Sequence, residues 1–174
     1  MAILCYHRIS DYFSDPVDIT VSVKNFKDQI SWLRQNYCIL SLGQLYKHLK
    51  ARKHLPDNSI VITFDDGYDS YNQTIEYLNN HKVHSTFFIC TPTFHSKYFY
   101  WDILNYLLIE QNELCNYRKK IILDLSKKIK FNLSVEEILD ENIFEEQRNW
   151  KINFKTIPSK RCQLFKELVS KLEF

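Results

Sequence analysis

Through the first half of the chain, short apolar runs alternate with stretches whose apolar positions recur at helical spacing. Ala2–Tyr6 reads as a buried strand, and Ser22 then caps a helix with Phe26, Ile30, Leu33 and Tyr37 on one face. Cys38–Leu40 is a short second strand. Ser41-Leu42-Gly43-Gln44 is a capping box, opening a helix whose inward stripe is Leu42, Leu45, Tyr46 and Leu49. Pro56-Asp57-Asn58 breaks the chain before Ser59-Ile60-Val61-Ile62-Thr63-Phe64, the clearest strand in the sequence. Tyr71, Ile75 and Leu78 mark the next helix, and Ser85–Cys90 the next strand. Strand and helix in this rhythm predict an α/β fold with crossover connections and a parallel sheet or barrel. Folds of that kind collect their chemistry at the carboxyl ends of the strands.

The second half follows a different pattern. Trp101–Glu113 reads as a helix, and Tyr117–Leu125 fits either strand or helix. Ser134-Val135-Glu136-Glu137 is another capping box, predicting a long polar helix to about Asn153, and Pro158-Ser159 precedes a last helix. Four strands followed only by helices leave a parallel sheet or barrel unfinished. The expected organisation is one partial domain over 1–174, with 1–92 its βα core and 93–174 mostly helical. There is no internal repeat.

Composition narrows the class without naming a function. The 174 residues are 45% hydrophobic and 25% charged, the balance of an ordinary globular chain. A formal net charge of +2 argues for neither nucleic acid nor a membrane surface. Five cysteines, widely spaced and without a Cys-x-x-Cys, offer neither a zinc cluster nor a disulfide framework. Three of them fall in strand-like apolar runs, where a free cysteine is expected to act as a small core residue. Met1 leads directly into an apolar strand without a basic n-region, so no signal peptide is read and a cytoplasmic location is expected. No apolar run approaches the roughly 20 residues of a membrane span.

The chemistry centres on Thr63-Phe64-Asp65-Asp66-Gly67, at the end of the strongest strand. Adjacent carboxylates repel, so their pairing calls for a raised pKa or a cation between them. Asp-Asp-Gly is also ordinary turn chemistry, but its place after an apolar strand favours a site over a bare turn. Tyr6-His7-Arg8 ends the first strand, and a parallel sheet puts His7 on the same face as Asp65 and Asp66. The competing reading of His7 is a hydrogen-bonded structural residue.

Several runs carry a family resemblance: Ile62-Thr63-Phe64-Asp65-Asp66-Gly67, His81-Lys82-Val83-His84-Ser85-Thr86-Phe87-Phe88-Ile89, Leu4-Cys5-Tyr6-His7-Arg8-Ile9 and Tyr100-Trp101-Asp102. Together they resemble the polysaccharide deacetylases of the NodB-homology class (carbohydrate esterase family 4), in the subgroup whose active-site segments are circularly permuted and begin with Tyr-His. The resemblance runs from residue 3 to about 108. It implies an incomplete NodB-type (β/α) barrel with a helical C-terminal segment. The implied activity is metal-dependent hydrolysis of the N-acetyl amide of an amino sugar, with an N-acetylated carbohydrate as partner. By resemblance Asp65 is the general base, Asp66 a ligand of a divalent metal, usually zinc, and His7 the general acid.

The same resemblance calls for a His-[Ser/Thr]-x-x-x-His-Pro segment carrying two more metal ligands, and the sequence holds none. A later Arg-x-Pro segment is also missing. His95, after the Ser85–Cys90 strand, is also expected on the productive face and is the candidate stand-in ligand, the competing reading being a surface loop. His81 and His84 flank the start of a strand, the wrong end for Asp66; His48 and His54 bracket a helix end and a loop. Asp69 reads as an early-helix charge, and Arg8 as a partner of substrate or of an aspartate. The reading is therefore a truncated deacetylase, inactive as given, whose missing ligands would come from a separate C-terminal half. The alternative is a non-catalytic relative that binds glycan or a partner. A haloacid-dehalogenase-type phosphatase is disfavoured, because Gly67 stands where its second acid belongs.

Overall fold

The computed structural model describes residues 1–11, 14–91, 98–110, 114–139 and 144–172. The chain divides into two compact units, Met1–Tyr12 with Ile19–His95, and Phe13–Asp18 with Ser96–Phe174.

The first unit is built around one strand. In order come β1 (Ala2–Tyr6), β2 (Arg8–Ile9), β3 (Thr20–Val21), α1 (Val23–Asn36), β4 (Cys38–Leu40), α2 (Leu42–Lys50), β5 (Ser59–Phe64), α3 (Tyr71–Asn80) and β6 (Thr86–Phe87). All six residues of β5 are buried. β1 runs parallel to it from Ala2↔Ile60 to Tyr6↔Phe64. β4 pairs with its first half, Cys38↔Ser59 to Leu40↔Val61, and β6 with its last two residues, Thr63↔Thr86 and Phe64↔Phe87. The sheet is parallel and open, as an incomplete (β/α) barrel requires. β2 and β3 form a separate parallel pair.

The period of two along β5 sorts its side chains between two cores. Ile60, Ile62 and Phe64 join Tyr6, Phe26, Ile30, Leu33, Tyr71, Leu78 and Val83 on one face. Stacked rings close this core at the strand ends: Phe64 lies 5.3 Å from Tyr6 and 4.5 Å from Phe87, centroid to centroid. Val61 points the other way, to Leu40 and Leu45. Because paired residues of parallel strands share a face, Ile3 and Cys5 lie on the side of Val61 and Thr63. Ile3 is 51% exposed there, so this face is only partly covered.

Local signals explain the helices. Ser22 accepts from Asn25 N to cap α1, and Ser41 with Gln44 completes the box that starts α2. Each cap satisfies backbone donors that the first helical turn leaves open.

In the second unit α4 (Tyr100–Leu108), α5 (Asn116–Lys128), α6 (Val135–Ile138), α7 (Phe144–Asn149) and α8 (Lys160–Leu172) surround a core of Leu108, Ile109, Ile122, Ile138, Trp150 and Phe165. The 14–18 stretch is tied into it. Ser14 Oγ donates to Asn105 Oδ1 at 2.8 Å, and Lys151 Nζ donates to the Asp15 carbonyl at 2.7 Å. No helix among the described residues is long and apolar enough to cross a membrane.

Several local expectations are corrected. Tyr117–Leu125, open to strand or helix from its sequence, takes the helical alternative inside α5. The helix expected from Ser134 to about Asn153 is two short ones, α6 and α7, with 140–143 outside the described residues. Of Ser85–Cys90 only Thr86–Phe87 is strand, paired with Thr63 and Phe64 at the end of β5, past the β4 register that stops at Val61. On α2 Leu45 is buried while Tyr46 and Leu49 are exposed, and Tyr37 and Ile75 also reach solvent. The cysteines depart most. Cys5, Cys38 and Cys90 are exposed, and only Cys162 behaves as a core residue, its thiol pushed up to about 11 by burial.

Candidate functional site

The parallel register continues past the strands: Asp65 N donates to the Tyr6 carbonyl at 2.9 Å. Counting by twos from the exposed face, Cys5 and His7 on one strand face Thr63 and Asp65 on the other. One ligand atom each from Cys5, His7 and Asp65 lies within 4.8 Å of the others. Cys5 Sγ donates to Asp65 Oδ2 at 3.2 Å.

Asp66 reaches the same region through an unusual backbone. Its φ is +80°, and Gly67 N donates to the Asp65 carbonyl at 3.1 Å, closing a three-residue turn centred on Asp66. The Asp66 carbonyl in turn accepts from Cys90 N at 3.0 Å, so the turn is tied to the segment after β6. Gly67, at φ +90°, is held against Ile89: a Cβ there would stand 2.8 Å from Ile89 Cγ2. A left-handed aspartate between a second acid and a tightly packed glycine is backbone strain at the carboxyl end of the central strand.

Tyr71 pins this construction from below. Its hydroxyl donates to the His7 carbonyl at 2.6 Å and is shared with the Asp65 carbonyl, joining the ends of β1 and β5. Burial first, and then the Asp66 charge, push its phenol well above its ordinary value, so it serves as a neutral donor. Burial also raises the Asp66 carboxyl above its ordinary range; His7 opposes the shift and Asp65 adds to it. Asp66 therefore lies within the fields of both His7 and Asp65.

Asp65 and Asp66 line one concavity of about 580 Å³ with Ile3, Leu42, Thr63, Phe88, Ile89 and Cys90. A carboxylate pair on a floor of apolar side chains can accept a proton and orient a polar group against an otherwise greasy surface.

The other candidates fall elsewhere. His95 lies outside the described residues. His81 Nδ1 is 2.8 Å from the Tyr77 carbonyl, and His84 is exposed before β6, both at the opposite end of the strands. His48 Nδ1 is 2.9 Å from the His54 carbonyl, joining the end of α2 to the loop after it. Asp69 is exposed and stands just before the cap of α3, not within the helix. Arg8 is buried, donating to Thr20 Oγ1 at 2.7 Å and lying 5.3 Å from the Tyr68 ring centre.

Sequence reasoning missed Cys5 and Tyr71. The period of two from His7 back to Cys5 would have found the thiol. Nothing local marks the Tyr71 hydroxyl, whose partners lie on two strands.

Of the one-carboxylate, two-histidine metal site that the resemblance implies, Asp66 alone is identified among the described residues, and the sequence holds no His-[Ser/Thr]-x-x-x-His segment. The donors gathered within 4.8 Å of one another at the strand ends are a thiol, an imidazole and one carboxylate, a different set.

Comparison with known proteins gives partial matches. Residues 52–118 match the family described as polysaccharide deacetylase. A 69-residue stretch is 33% identical to the poly-beta-1,6-N-acetyl-D-glucosamine N-deacetylase of Escherichia coli (strain K12). That match covers 39% of this chain and spans only 10% of the relative's length. Among solved structures, a de-N-acetylase from Aggregatibacter actinomycetemcomitans is 25% identical, with 49% of this chain and 36% of that one covered at a TM-score of 0.44. IcaB from Ammonifex degensii is 18% identical, with 85% and 80% covered and a TM-score of 0.49.

Proposed function

We propose that this chain, whose residues 52–118 match the polysaccharide deacetylase family, supplies the aspartate half of a hydrolase site for the N-acetyl groups of amino-sugar polymers. Asp65 is the general base that takes the proton of the attacking water, and His7 is the general acid that returns a proton to the leaving amine. Asp66 is the carboxylate reserved for a divalent cation, zinc by resemblance. The remaining donors come from outside these 174 residues, from a C-terminal half bearing the two histidines. The chain by itself is inactive.

The observation that supports this reading is the common position of His7, Asp65 and Asp66. They stand at the carboxyl ends of two adjacent parallel strands, and both aspartates border a single concavity. The parallel register brings His7 and Asp65 together, as the proposed acid and base require. The apolar border of Ile3, Phe88 and Ile89 suits the methyl of an acetyl group and the flat face of a sugar ring.

The test measures acetate release from β-1,6-linked N-acetylglucosamine oligomers. One arm uses the chain alone; the other uses the chain co-expressed with a C-terminal half that carries the histidine segment. Release is expected only in the second arm, and Asp65→Asn should abolish it. Release by the chain alone, lost in Asp65→Asn, would show a complete site and sink the two-halves reading. Oligomer binding without release in either arm would leave the non-catalytic glycan binder, the reading that the missing histidine segment favours.

A further inference from the structure

The donors that the proposed reaction leaves over are not randomly placed. Cys5 has no role in an aspartate–histidine hydrolase, and an exposed thiol beside a general base invites side chemistry. Yet its sulfur stands 3.2 Å from Asp65 Oδ2, with His7 completing a group whose ligand atoms all lie within 4.8 Å. We infer that Cys5, His7 and Asp65 form a site of their own for a thiophilic divalent cation of the zinc class. It is distinct from the carboxylate-and-two-histidine arrangement to which Asp66 would contribute.

Three arguments carry this assignment. The first is distance. Four-coordinate zinc holds sulfur at about 2.3 Å and nitrogen or oxygen at about 2.0–2.2 Å, which separates neighbouring donors by roughly 3.5 Å. The observed spacing needs only small rotations of side chains to reach that value. The second is charge. A thiolate, a carboxylate and a neutral imidazole sum to minus two, which balances a divalent ion. On binding, the thiol releases to solvent the proton it now donates to Asp65, a sulfur–metal bond replaces the sulfur–hydrogen bond, and no electron changes hands. The third is placement. All three residues come from one face of two paired strands, fixed by the register Cys5↔Thr63 and Tyr6↔Phe64. The three protein donors found among the described residues match the ligand number of an accessible zinc site.

The site has a consequence for catalysis that rests on the roles proposed above, although the binding does not. A cation held there occupies Asp65 and His7 together. It removes the base and the acid in one step, so thiophilic metal in excess should inhibit deacetylation.

Cobalt(II) titration of the reduced full chain, in a buffer free of added thiol, tests the assignment. Expected is a sulfur-to-cobalt charge-transfer band that saturates at one equivalent. Cys5→Ser should abolish the band, with circular dichroism confirming an unchanged fold. His7→Ala should weaken cobalt binding by more than roughly tenfold, the least that losing even an outer partner of a metal ligand costs. Asp66→Asn and Cys38→Ser should leave the band in place. A band that survives in Cys5→Ser, or that disappears in Cys90→Ser, overturns the proposal, as does no band at saturating cobalt. Since the readout is spectroscopic, failure to release acetate does not bear on it. Acetate release with no cobalt band would sink this site alone.

Discussion

Gly67 carries the sharpest stability prediction. Its φ of +90° is one that L side chains rarely adopt, and forcing alanine into left-handed backbone costs roughly 1–2 kcal/mol. The added Cβ also meets Ile89, at 2.8 Å from Cγ2, 3.5 Å from Cβ and 3.6 Å from Cα. Only the first of these contacts is too short, and it involves the far end of a side chain that is 53% exposed. Ile89 can turn away, at an off-rotamer cost of about 0.5–1.5 kcal/mol. Alanine narrows the unfolded ensemble and returns about 0.4–1 kcal/mol. Net destabilisation by Gly67→Ala is therefore about 1–2 kcal/mol, with backbone strain the larger contribution. Urea unfolding followed by circular dichroism measures it. Hydrogen exchange should show faster opening of the 59–67 peptide and unchanged exchange in α8. The decisive comparison repeats the substitution in an Ile89→Ala background. Most of the penalty should persist there, because removing the methyl relieves the contact and leaves φ unchanged. A penalty that vanishes in that background would refute the reasoning, by showing that the clash and not the backbone sets the cost.

Two further outcomes follow from the same corner of the molecule. Tyr71→Phe removes the hydroxyl that joins the His7 and Asp65 carbonyls; Asp65 keeps its bond from Gly67 N, so about 1–2 kcal/mol should be lost, read as a lower urea midpoint, and an unchanged midpoint would contradict the pinning role. Asp66→Asn tests the raised carboxyl. A folded-state pKa above 3.8 means that the native chain holds this proton more tightly than the unfolded chain, so native stability falls as pH rises through the window above 3.8. Asparagine has no such loss, so its advantage over the wild type should be small below pH 3.8 and grow toward neutrality. A stability difference that is flat with pH would show that Asp66 titrates normally.

What the linear sequence determined here was local. Apolar runs and helix-spaced positions located β1, β5, α1 and α3, and capping boxes at Ser41 and Ser134 marked helix starts, because these depend on neighbours within a few residues. It also placed His7 and Asp65 at strand ends, and parallel pairing with a period of two was enough to put them on one face. The tertiary structure decided what depends on long-range cover. Cys5 looked like a core residue because its strand is apolar, yet it is exposed, since the face it shares with Ile3 is only partly covered. Spacing alone puts Ile75, Tyr46 and Leu49 inward, yet all three are exposed, because which helix positions are covered depends on contacts across the fold. The left-handed turn at Asp66, the clasp from Tyr71 and the thiol–carboxylate contact each join residues distant in sequence or bend the backbone against local preference. Such features arise from packing, and no periodicity records them.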